Sequence, residues 1–311
     1  MQLEGIHHIS SITADAPRNV DFYVRVLGLR MVKKTVNQDD PSVYHLFYAD
    51  EAGSPGADLT FFEYPGARQG RAGAGMVHTI VLRVGSEASL DFWRLRLADE
   101  QVESERGERS LRFADPEGLG YELIVDESGD APLSAVSPDV PAEHAIRGFA
   151  GVRAYTATPE RSAPLLRDVL GFAPAEADST TQWEARGEQR GGFYAYDAAP
   201  EQRGLGGAGT VHHVAWAAYD DDIEAWDARV RGAGSHTSGL VDRFWFRSVY
   251  FREPSGVLFE LATLGPGFTS DEPLESLGQR LVLPPRLEPQ RAQIEPRLTP
   301  LPPTRAAASA G

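Results

Sequence analysis

Apolar and polar residues alternate along this chain in short runs, and four times the alternation gives way to helical spacing. Residues 6–15 (IHHISSITAD) alternate like a half-buried strand. Residues 17–29 (PRNVDFYVRVLGL) bring Val20, Tyr23, Val24 and Leu27 to one helical face, with Gly28 as the C-terminal cap. Three more strands follow, in MVKKTVN, VYHLFYAD and DLTFFEY, separated by Asp, Gly and Pro. The same order of strand, helix and further strands returns from residue 76, from 149 and from 210. The helix ends VRVLGL and RDVLGF are near copies, as are ADPEGLGYELIV and REPSGVLFELAT. The last two share an acid–Pro–x–Gly turn before a strand that carries Glu122 or Glu260. The expected fold is therefore α+β, built from four βαβββ modules. Modules one and two fall in residues 1–130 and modules three and four in 145–265. Residues 266–311, rich in Pro and Arg, are expected to be an extended tail that wraps the surface before fraying.

Composition narrows the chemistry. The 311 residues are 41% apolar and carry a net charge of −15, which argues against nucleic acid and fits a soluble protein. No run of eighteen apolar residues suggests a membrane span, and the N-terminus lacks a signal-peptide pattern, so a cytoplasmic protein is expected. The chain has no cysteine, which excludes disulfides, thiolate metal sites and cysteine nucleophiles. Any transition metal must then be held by His nitrogen and carboxylate oxygen, so the eight histidines draw attention.

The stretches IHHIS, FYVRVLGLRMVKKTVNQDDPSVYHLFYAD, GTVHHVAW and DRFWFRSVYFREPSGVLFELATLGPGF resemble the vicinal oxygen chelate superfamily, and within it the hydroquinone-cleaving ring dioxygenases. The resemblance is dense over modules one and four and looser over the remainder. It implies modules paired into two curled-sheet halves, one with four around a metal and two with three as a metal-free support. It also implies a metal triad of His8, His213 and Glu260, with His8 and His213 at equivalent positions on the first strands of their modules. Two His and one carboxylate on one face suit non-haem Fe(II), which keeps its remaining positions for substrate and oxygen. Fe(II) is the expected cofactor, with Mn(II) as the second candidate. The implied reaction is ring opening of a hydroquinone- or catechol-like diol by O2, and the resemblance also suggests a homo-oligomer.

Neighbouring residues would serve that reaction. Arg243 can neutralise a phenolate, Tyr250 can donate a hydrogen bond, and His212 or His7 can move a proton. Ser10, two residues beyond His8, could touch substrate where the family pattern leads one to expect Thr. Since neighbours in a strand face opposite ways, only one His of each doublet is expected on the metal side. His8, His78 and Glu122 form a rival triad, of the kind found in glyoxalase-type lyases and isomerases. That reading needs a module-one carboxylate, for which Asp58 is short and Glu63 out of phase. A metal-free sequestering protein is the third reading. Arg153 stands where module three would carry a His. Lys33–Lys34 is expected to be a solvated strand end, and GARQGRAGAG and RGLGGAG flexible links.

Overall fold

The computed structural model describes residues 1–304, so residues 305–311 of the tail, with its expected frayed end, lie outside the described residues. Module one forms β1 (Leu3–Thr13), α1 (Ala16–Val20) with a π-helical continuation (Asp21–Val26), β2 (Arg30–Val36), β3 (Tyr44–Ala49) and β4 (Asp58–Glu63). Module two forms β5 (Met76–Val84), α2 (Glu87–Asp99), β6 (Ser104–Arg106), β7 (Ser110–Ala114) and β8 (Gly120–Val125). In module three, β9 (Phe149–Thr156) leads through a π-helical turn (Pro164–Val169) to β10 (Ala173–Pro174), β11 (Gln182–Arg186) and β12 (Gly191–Ala198). Module four has β13 (Thr210–Ala218), α3 (Ile223–Gly232), β14 (Thr237–Asp242), β15 (Arg247–Arg252) and β16 (Leu258–Thr263).

The strands make two eight-stranded sheets. Modules one and four share the order β14-β15-β16-β13-β1-β4-β3-β2, and modules two and three share β10-β11-β12-β9-β5-β8-β7-β6. Each sheet is centred on an antiparallel pair, β1 with β13 or β5 with β9, flanked by parallel pairs. The two ends of the first sheet curl toward each other. Asp39, just after β2, holds Arg243, just before β15, through two bonds of 3.1 and 2.9 Å.

The helices of modules one and three differ from regular expectation. They end in wide turns in which Leu27 N–H reaches Phe22 O and Leu170 N–H reaches Leu165 O, both at 2.9 Å. The wider turn buries Leu27 and Leu170, and Gly28 then reverses the chain at φ +70°. The acid–Pro–x–Gly turns are structural joints. Asp115 accepts from the backbone of Glu117 and Leu119 and from the Tyr23 hydroxyl, joining module two to module one. Glu253 accepts from Tyr194, Tyr196, Ser162 and Ser255, joining module four to module three. Burial pushes the Asp115 carboxyl up to about 6, against the hydrogen bonds that favour its charged form.

Two expectations need correction. The glycine-rich segments are not free links, because they pair backbone to backbone at Arg71 and Leu205 and at Gly70 and Ala208, all at 2.8 Å. A Cβ on Gly73 would lie 2.2 Å from Gly204 N, so the close approach needs glycine. Nor is Lys33 solvated. It has no exposed surface and bonds Glu272, Asp271 (2.9 Å) and the Phe268 carbonyl (3.3 Å), with its ammonium over the Trp245 ring. The tail supplies those partners, bonds β2 through Val282 N–H and Lys34 O (2.9 Å), and buries Leu283, Leu287, Ile294 and Leu298. Long-range partners override local polarity in each case.

Candidate metal centre

In the central pair of the first sheet, His8 lies opposite Ala215 and Ser10 opposite His213. An approximate two-fold axis therefore exchanges His8 with His213 and Ser10 with Ala215. Beside them, β16 places Glu260 next to Ala215. The three side chains are buried, with His8 Nε2 3.2 Å from His213 Nε2, His8 Nε2 3.2 Å from Glu260 Oε2, and His213 Nε2 2.9 Å from the same oxygen. Among the described residues this is the group whose ligand atoms all converge within 4.8 Å. Metal–donor bonds of about 2.1 Å put neighbouring donors about 3.0 Å apart in an octahedron and about 3.4 Å in a tetrahedron. The observed separations suit one octahedral face.

Both doublets break strand alternation. Ile6 pairs with Trp216 and His8 with Ala215, so His7 is an extra residue on β1; Ser10 pairs with His213 and Ser11 with Val211, so His212 is one on β13. These bulges correct the expectation of opposite faces. His7 Nδ1 lies 3.0 Å from His8 Nδ1, and His212 Nδ1 lies 2.7 Å from His213 Nδ1. His7 Nε2 faces the Thr263 carbonyl at 3.1 Å and must donate to it. Burial, with His8 beside it, lowers the His7 pKa to about 3, so its Nδ1 is a bare acceptor near neutral pH. His8 Nδ1–H then donates to it, which leaves the His8 Nε2 lone pair pointing inward. Glu260 Oε1 accepts from Ser248 at 2.5 Å, while buried Oε2 has no hydrogen-bond donor. The His8 lone pair, the His213 Nε2 nitrogen and a carboxylate oxygen without a hydrogen-bond donor thus converge, a donor set that fits a divalent cation.

A cavity of about 330 Å³ opens onto this group, walled by Phe47, Phe62, Trp245, Phe246 and Leu258. His212, Arg243 and Tyr250 line it as well. Arg243 Nε lies 3.3 Å from the Tyr250 hydroxyl, while its fork holds Asp39. Burial pushes the Tyr250 hydroxyl above its ordinary value, keeping it protonated. Burial, with His213 beside it, lowers the His212 pKa to about 4. Ser10 and His7 are not on the cavity wall: Ser10 is sealed below it against Thr60 (2.6 Å), and His7 points to Thr263. His45, which the sequence did not single out, does line the wall. Its phase with Phe47 on β3 was the available signal.

Sheet register separates the members of the rival set, with His8 in the first sheet and His78 and Glu122 in the second. Ser10 pairs with Thr60 as Ala215 pairs with Glu260, so Thr60, rather than Asp58 or Glu63, mirrors the carboxylate. Asp58 is buried beside His8, and Glu63 caps Ala16 N–H at 3.1 Å. In the second sheet, Val81 pairs with Glu122 and Thr79 with Arg153, which puts Thr79 where the first sheet has His213. Val81 faces Gly151 and Arg153 pairs with Ala195, so the remaining two positions hold Gly151 and Ala195, and Gly151 rather than Arg153 stands where module three would carry the His. His78 is a bulge residue like His212; it bonds Asp197 at 2.9 Å, while Glu122 bonds Arg112 at 3.1 Å.

Residues 5–123 and 148–261 match the model of the Glyoxalase/Bleomycin resistance protein/Dioxygenase superfamily. MhqA of Bacillus subtilis (strain 168), provisionally named a ring-cleaving dioxygenase, is 39% identical over 97% of this chain and 100% of its own length. A chlorohydroquinone/hydroquinone 1,2-dioxygenase of Sphingobium indicum is 34% identical, covering 92% of this chain and 93% of its own. A crystal structure of a provisionally assigned dioxygenase from Bacillus subtilis superposes with a TM-score of 0.90 at 38% identity, over 98% of this chain and 99% of that one. Glyoxalase I from Zea mays shares the fold at a TM-score of 0.56 and 16% identity, over 83% of this chain and 92% of its own.

Proposed function

The chain belongs to the Glyoxalase/Bleomycin resistance protein/Dioxygenase superfamily, and from that premise we propose that it is a ring-cleaving dioxygenase acting on a hydroquinone- or catechol-like diol with Fe(II). The observation that carries this reading is the His8–His213–Glu260 cluster, with the donorless Glu260 Oε2 and with His8 and His213 lining an aromatic-walled cavity. Relatives named as ring-cleaving and hydroquinone dioxygenases support it over almost the whole chain. Thr60 at the position mirroring Glu260 favours a three-ligand site over the glyoxalase-type alternative.

His8, His213 and Glu260 would hold the ion. Bound Fe(II), or Mn(II) as the second candidate, would supply Lewis acidity toward a diol hydroxyl and an electron path to O2. The chain's own residues do the rest. An apolar cavity of about 150 Å³ accepts benzene, so about 330 Å³ takes a substituted ring. Phe47, Phe62 and Phe246 exclude water around it. Arg243 offsets the charge of a deprotonated diol, and Tyr250, accepting from Arg243, keeps its own hydroxyl proton to donate. If His213 Nε2 faces the ion, His213 Nδ1–H donates to His212 Nδ1, and His212 Nε2–H remains to give a proton toward the ring. Cytoplasmic location and self-association belong to the same proposal; no helix among the described residues is long and apolar enough to cross a membrane.

Metal analysis of anaerobically prepared protein, followed by oxygen uptake with a panel of hydroquinones and catechols, tests the reading. One Fe(II) per chain and diol-dependent uptake are expected. A fully loaded protein that consumes no oxygen with any diol would overturn it.

A further inference from the structure

On the module-one wall of the cavity stands His45, whose ring lies 4.1 Å from that of Phe47 and 4.2 Å from that of Phe62. These neighbours fix the ring plane. Its Nε2 lies 2.9 Å from Thr60 Oγ1, and Thr60 Oγ1 lies 2.6 Å from Ser10 Oγ. Ser10 and Thr60 have no exposed surface, so this pair of hydroxyls forms a sealed chain that ends at His45. The two-fold relation explains the chain's place. Ser248 pairs with Ala262 as His45 pairs with Phe62, so His45 and Thr60 mirror Ser248 and Glu260. Where module four has a hydroxyl holding a metal carboxylate, module one has a hydroxyl holding an imidazole. No described residue bonds His45 Nδ1.

We infer that His45 is a specificity-determining residue, hydrogen-bonding through Nδ1 to the diol hydroxyl remote from the metal, with Thr60 and Ser10 as the residues that position it. The inference rests on the proposed diol chemistry. Both hydroxyls of the chain can rotate. If they run one way, Thr60 donates to Nε2 and Nδ1–H is a donor for a phenolate. If they run the other way, Nε2–H donates to Thr60 and Nδ1 accepts from a phenol. The imidazole can therefore serve the remote oxygen in either protonation state. Burial, with His8 and His213 nearby, holds His45 well below the usual imidazole range, which keeps one nitrogen a donor and the other an acceptor. The module-four wall carries Arg243, Tyr250 and His212, and on the module-one wall His45 stands between two phenylalanine rings, apart in sequence from the polar Asn37, Gln38 and Asp39.

The test compares anaerobic binding of hydroquinone and phenol to the metal-loaded protein, read by tryptophan fluorescence, with metal content measured in parallel. The wild type should prefer hydroquinone, and His45→Phe, which keeps an aromatic ring between Phe47 and Phe62, should lose about tenfold of that preference while keeping its metal. Thr60→Val should lose part of it, and Thr60→Ser should restore it. An unchanged preference in His45→Phe, or a loss that affects both ligands equally, would overturn the inference. Oxygen uptake by the wild type is scored separately, so a failure of the dioxygenase reading is distinguishable. A wild type that shows no preference for hydroquinone overturns the role of His45 whatever its uptake.

Discussion

Replacing Lys33 by Met should destabilise the protein severely, although Lys33 lies outside the metal centre. Its ammonium is completely enclosed and bonded to Glu272, which is 2% exposed, and to Asp271. Met keeps the length of the stem and removes the charge, leaving Glu272 buried without its main partner. Arg280 offers little, because its Nε is 3.8 Å from Glu272 Oε1 and its side chain is 69% exposed. Removing one member of a buried ion pair costs about 3–5 kcal/mol, mostly as the penalty on the charge left behind. For a chain of this size that is roughly 5–8 °C in Tm. The damage should reach the cavity, since Asp271 also accepts from Trp245 Nε1 at 3.0 Å and Trp245 is a wall residue. Urea midpoints give the stability, and near-UV circular dichroism reports the indole. The double variant Lys33→Met/Glu272→Met should return to within about 1 kcal/mol of wild type, because it removes the orphaned charge. A single variant that costs less than about 1 kcal/mol, or a double variant no better than the single, would refute the reasoning.

Further outcomes follow from the same geometry. His213→Ala should lose its metal while His78→Ala retains it, measured by metal analysis after anaerobic loading; the reverse pattern would move the site to the second sheet. His7→Phe should weaken metal binding about 10–100-fold in chelator competition by releasing the His8 tautomer, with all three ligands intact. Asp115 titrates near 6 in the folded chain and near 3.9 unfolded, so the folded state binds more protons between those values. Stability is lost as pH rises through that window, by about 3 kcal/mol, and Asp115→Asn should flatten the slope of urea midpoints between about pH 4 and 7. An unchanged slope would place the titration elsewhere.

The four modules were legible because a strand–helix–strand order repeats with its turns, and local periodicity is what a sequence shows most directly. His8, His213 and Glu260 could be nominated because each sits at a fixed step from a repeated feature and matches the ligand pattern of the family that the sequence resembles. The bulges could not. An extra residue at His7 or His212 leaves the apolar pattern intact and becomes visible only when β1 is laid against β13. The mirror of Glu260 was hidden for a related reason, since Asp58 and Glu63 draw attention as acids while the register selects Thr60. Lys33 read as solvated because its partners, Asp271 and Glu272, lie far along the chain in a segment with no apolar period. The glycine segments also pair with partners far along the chain. His45 escaped notice because its hydroxyl partner belongs to another strand and is itself unremarkable.

The two sheets separate motif from chemistry. Both keep the acid–Pro–x–Gly turn and the glutamate after it, yet only the first brings histidines to that glutamate. The turn persists because Asp115 and Glu253 each tie buried tyrosines to backbone donors, a task that needs no metal. In the second sheet the ligand positions have been overtaken by packing. A Cβ on Gly151 would lie 2.4 Å from Phe193 Cγ, and Arg153 and Asp197 close on each other at 2.5 Å. Restoring a His at residue 151 would first require removing the Phe193 ring, so a single substitution cannot rebuild the centre there. The second sheet is tied to the first through its joints, and there Phe193 and the Arg153–Asp197 pair fill the space that corresponds to the candidate centre.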